Sequence, residues 1–77
     1  MVFLIEYDRN RGSIITLKIF EDAKRESAER ARLEMELDLN RQGVEREVVL
    51  LEAETEEALR RTHRRYFENL AELVTTQ

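Results

Sequence analysis

The chain has 77 residues with no cysteine and no proline, so it reads as one small domain over residues 1–77, with a thin core that no disulfide or thiolate-bound metal can reinforce. Charged residues make up 39% of the sequence, yet 17 Asp and Glu outnumber 13 Lys and Arg, for a net charge of −4. That balance argues against nucleic-acid binding by overall field. No apolar run approaches the ~20 residues of a membrane span and no leader-like segment is evident, so a cytoplasmic setting without membrane contact is the expectation.

Val2, Phe3, Leu4 and Ile5 form an uninterrupted apolar run. A strand with no polar parity reads as central and covered on both sides. The polar stretch Asp8 to Gly12 reads as a hairpin turn, with Asn10 and Gly12 suited to positive φ. Pairing Tyr7 with Ser13 sets Ile5 opposite Ile15, Phe3 opposite Leu17 and Met1 opposite Ile19, a face expected to meet the helices. The other face then carries Val2, Leu4 and Glu6 beside Ile14, Thr16, Lys18 and Phe20. It is too apolar to sit comfortably in water.

A first helix is expected from Asp22, as cap, to Gln42, with Gly43 as the left-handed terminator. Ala28, Ala31, Met35 and Leu39 share one stripe, whereas Leu33 and Leu37 point roughly the opposite way at ~100° per residue. Val44 to Ala53 reads as the third strand, and both parities of Val48, Val49, Leu50 and Leu51 are apolar, so its core-facing set stays open. Thr55 is placed to cap a last helix with Glu56 and Glu57 in its first turn. The stripe of that helix runs through Leu59, His63, Tyr66, Phe67, Leu70, Leu73 and Val74, and Thr75 to Gln77 are expected to fray.

The order is ββαβα. A crossover through the first helix favours a third strand parallel to the second, with the first between them. The expected fold is therefore α+β, a three-stranded mixed sheet of order 2-1-3 with both helices packed on one face.

Few residues invite chemistry. His63, the only histidine, could sit with Tyr66 at a pocket edge as a general base, but general base catalysis needs companions and none is evident. Without cysteine, a lone histidine leaves only carboxylates as further metal ligands, so no metal and no cofactor are expected. Arg60, Arg61, Arg64 and Arg65 could meet an anion or a nucleic acid. Glu56 and Glu57, four residues before Arg60 and Arg61, and Glu68, four after Arg64, make a salt-bridged solvent face the simpler account. The Glu45 and Glu47 pair reads as an exposed strand start. There is no glycine-rich phosphate loop and no nucleophile elbow.

The sequence thus points to a non-catalytic homodimeric interaction module, with Val2, Leu4, Ile14, Phe20, Leu33 and Leu37 as its contact surface. Another, unidentified protein is a further partner to consider. The rival expectations are an anion or nucleic-acid module on the Arg60 to Arg65 face and a small-molecule binder or enzyme around His63.

Overall fold

The computed structural model describes residues 1–68. β1 (Val2–Asp8) and β2 (Ser13–Phe20) form the hairpin, a single 3-10 turn (Asp22–Lys24) leads into α1 (Arg25–Gln42), and β3 (Glu47–Glu52) is followed by α2 (Glu56–Thr62) and a second 3-10 turn (Arg64–Tyr66). The sheet order is β2-β1-β3. β1 is antiparallel to both neighbours, so β2 and β3 run parallel to one another but never pair. Every ladder in the sheet is antiparallel.

The hairpin turn is built on Asp8. Its Oδ1 accepts the amides of Asn10 and Arg11 at 2.9 and 3.2 Å, its carbonyl accepts from the Gly12 amide at 2.8 Å, and Gly12 supplies the positive φ of 66°. Asp8 itself pairs with Ser13, and a bulge between Glu6 and Tyr7 leaves Ile15 without a partner on β1. Each of these shifts the expected pairing by one residue. Ile5 therefore faces Leu17, not Ile15, and Phe3 faces Ile19, not Leu17. A shift of two preserves the faces, so the grouping of Phe3, Ile5, Leu17 and Ile19 survives the change of register.

All seven residues of β1 are buried. Phe3, Ile5 and Tyr7 cluster with Leu59 of α2 and with Tyr66, and Leu17, Val49, Leu51, Ala53 and Phe67 pack around them. Val2 and Leu4 lie on the opposite face, beside Phe20, Lys18, Leu50 and Glu52, and are just as inaccessible. Their cover is α1. Ala28 is fully buried, Ala31, Met35 and Leu39 of the same stripe are half-buried, and Arg25 at the start of α1 forms an ion pair with Glu52.

The helices thus lie on opposite faces of the sheet, which corrects the expectation of a single helical layer. The cause is the composition of β1. Each large apolar side chain buried contributes about 1.5–3 kcal/mol, and a strand apolar at both parities realises that only with cover on both sides. The same arrangement answers which parity of β3 meets the core. Val49 and Leu51 belong to the α2 side and Val48 and Leu50 to the α1 side.

Gly43 closes α1 with a φ of 67°, its amide bonded to the Asn40 carbonyl at 3.2 Å. Thr55 caps α2, its Oγ1 accepting the Ala58 amide at 3.0 Å. α2 is far shorter than its apolar stripe implied. It stops at His63, whose φ of −126° and ψ of 52° leave the helical region. The expected continuation through Leu70, Leu73 and Val74 lies outside the described residues.

Candidate functional site

The surface expected to join two copies is only partly available. Val2 and Leu4 are sealed beneath α1, with 1% and 0% of their surface exposed, and cannot contribute to a contact with another molecule. Ile14, drawn across by the bulge, packs against the α2-side core, and Phe20 is half-buried. Leu33 and Leu37 do stand on the outer side of α1, 55% and 46% exposed.

Two residues that sequence reasoning had assigned to the core take the place of those lost. Ile15 and Ile19 are 43% and 47% exposed. Both lie on β2, an edge strand whose outer side pairs with no other strand among the described residues. The core cluster around Leu59 draws in Ile14 and Leu17 of β2 but neither of these two. The bulge that strips Ile15 of its partner has no signature in the sequence beyond the turn itself.

The basic cluster is fully paired. Arg60 meets Glu56 at 3.0 Å, Arg61 meets Glu57 at 3.4 Å and Arg64 meets Glu68 at 2.9 Å, the pairs expected from helical spacing. Arg60 also lies 4.6 Å from the centre of the Phe67 ring. Arg65 points elsewhere, into a polar cluster on the α2 side of the sheet.

Glu47 is the centre of that cluster. Its side chain is only 10% exposed, although the sequence suggested an open strand start. Oε1 accepts from Arg9 Nε at 2.9 Å and Oε2 from Arg65 Nη2 at 2.6 Å, and the Tyr66 hydroxyl donates to Oε2 as well. The Arg65 guanidinium covers the Tyr66 ring at 4.3 Å. Tyr7 meets Tyr66 edge-to-face, with ring centres 5.1 Å apart, and donates to the Arg65 carbonyl at 3.3 Å. The Tyr66 hydrogen bond, outweighing the cost of burial, and then Arg9 and Arg65 hold the Glu47 carboxyl below its ordinary value. Burial, and then the neighbouring carboxylate, push the Tyr66 phenol above its own.

A second carboxylate, Glu6, is satisfied beneath α1. Thr16 Oγ1 donates to it at 2.9 Å, and Arg46 Nε lies 3.4 Å from its other oxygen. Arg9, Asn40, Glu45, Arg46 and Val48 help to line an open cleft of about 600 Å³ where the hairpin turn meets the α1–β3 connection. Both of these arginines are already ion-paired, Arg9 with Glu47 and Arg46 with Glu6.

His63 and Tyr66 do not form the expected pocket edge. Neither lines the main clefts among the described residues. His63 ends α2 with its Nδ1 2.9 Å from Thr62 Oγ1, and the Tyr66 hydroxyl is committed to Glu47 and Arg65. Among the described residues no group of three or more His, Asp or Glu side chains could hold a metal ion, and no helix is long and apolar enough to cross a membrane. Comparison with protein-family models, with curated proteins and with solved structures returns no match.

Proposed function

We propose that the chain is a non-catalytic interaction module of the cytoplasm that works as a homodimer. The observation that carries this reading is the state of β2. It is an eight-residue edge strand that exposes two large apolar side chains, Ile15 and Ile19, with exposed Lys18 as its only charge. An open strand edge of that composition is a template for pairing. The alternatives draw less from the structure. An anion on the arginine face would have to displace carboxylates already in place, and His63 Nδ1 is engaged by its neighbour Thr62.

The test is sedimentation equilibrium of the wild type at micromolar concentration. A mass of twice 9.2 kDa supports the homodimer. A mass of one chain removes it.

A further inference from the structure

Resting on that homodimer, we infer that two chains join through β2 itself, antiparallel about a two-fold axis at Leu17, so that Ile15 of each copy faces Ile19 of the other and the two sheets merge into one of six strands.

The register follows from self-complementarity. A two-fold at Leu17 sets Ser13 opposite Glu21, Ile14 opposite Phe20, Ile15 opposite Ile19 and Thr16 opposite Lys18. The two exposed apolar residues of the strand, at 43% and 47%, then cover one another, and apolar cross-strand pairs of this kind stabilise a ladder. A slip of one residue puts Lys18 opposite Ile15 and mixes the two faces. A two-fold at Lys18 would set that ammonium against its own copy. A two-fold at Thr16 would spend Phe20 on Gly12 and Ile19 on Ser13.

Charge agrees. Lys18 is exposed and forms no ion pair among the described residues, where eleven such pairs are otherwise found. Across the new ladder it faces Thr16 of the second copy, whose hydroxyl bonds to Glu6 on the next strand. Two strand spacings are about 10 Å, a span that a lysine and a glutamate side chain reach together. The lone cation of β2 thereby joins Arg46 beside the near-buried carboxylate of its row.

The opposite edge does not offer this. β3 has six residues, and a two-fold with full overlap would set Glu47 against Glu52. Glu47 is in addition held by Arg9, Arg65 and Tyr66. Pairing through β2 also gives its outward amides and carbonyls partners, as strand addition does wherever a sheet edge is open.

The chain has no cysteine, so single replacements report the register. Ile15→Cys and Ile19→Cys change exposed positions and leave Leu17 in place. Each variant is oxidised alone, and then the two are mixed, allowed to exchange subunits and oxidised together. The expected result is a covalent band at twice the 9.2 kDa chain mass in the mixture and little in either variant alone. Self-linking of one variant at least as strong as the mixed link would overturn the register. No link in a protein that sediments as a dimer would overturn pairing through β2 and leave the homodimer standing. A one-chain mass would end both.

Discussion

Tyr66 donates its hydroxyl hydrogen bond to Glu47, a residue 19 positions earlier in the sequence, and so ties the turn after α2 to the first residue of β3. Arg65 Nη2 reaches the same carboxylate oxygen at 2.6 Å. Together with the burial of Leu59 and Tyr66 they hold the end of α2 against the sheet.

That tie makes part of the stability depend on pH. The Glu47 carboxyl lies below its ordinary value of 4.5, so its contribution is present above pH 4.5 and is lost as pH falls through the depressed folded value. The melting temperature of Glu47→Gln should therefore fall less steeply between about pH 6 and pH 3 than that of the wild type. Parallel acid limbs would contradict the role given to this carboxylate. Tyr66→Phe, which keeps the ring contact with Tyr7 and removes the hydroxyl, should cost about 1–2 kcal/mol in urea denaturation.

The two-sided cover of β1 gives a second expectation. Leu4→Ala and Ile5→Ala should each cost about 2–5 kcal/mol, as large-to-small changes in a packed core do. Denaturant titration of both decides the matter. A loss at Leu4 well under half that at Ile5 would mean that α1 does not seal its face.

Much of this fold was legible in the residues themselves. The Val2 to Ile5 run announced a central strand covered on both sides, Gly43 and Thr55 marked the ends of helices, and the Ala28 to Leu39 stripe is the one α1 buries. What failed to show were effects that no local pattern encodes. From Thr16 onward a two-residue change of register keeps the side chains on their faces, so alternation could not reveal that Ile15 falls on a bulge and that Ile14 crosses to the α2 side. Apolar spacing from Leu59 onward could not show that the helix stops at His63. The Glu47 cluster was hidden because a carboxylate among charged neighbours looks exposed until Tyr66 and Arg65 are folded over it.

Gly43 offers a test of backbone conformation in isolation. A Cβ built there would meet nothing within 4 Å, while φ is +67°. Gly43→Ala should cost roughly 1–2 kcal/mol from the left-handed backbone alone, and Gly43→Asn less. Equal thermal shifts for the two would contradict this.

The arginines should separate into two kinds. Arg61→Gln removes an exposed pair worth roughly 0.3–0.5 kcal/mol and should scarcely move the urea midpoint. Arg65→Gln strips a bond from the nearly buried Glu47 and should cost more, about 1–2 kcal/mol. Retention of the wild type, but not of a variant with Arg60, Arg61 and Arg64 all changed to Gln, on a nucleic-acid column at low salt would favour the anion reading over the homodimer.

The claim that β2, and not the outer leucines of α1, carries self-association is tested most directly by sedimentation equilibrium of Ile19→Lys beside Leu37→Lys. Both positions are exposed in the single chain, so both variants should fold. The expected masses are one chain of 9.2 kDa for Ile19→Lys and twice that for Leu37→Lys. A dimeric Ile19→Lys with a monomeric Leu37→Lys would contradict the account and move the contact to α1.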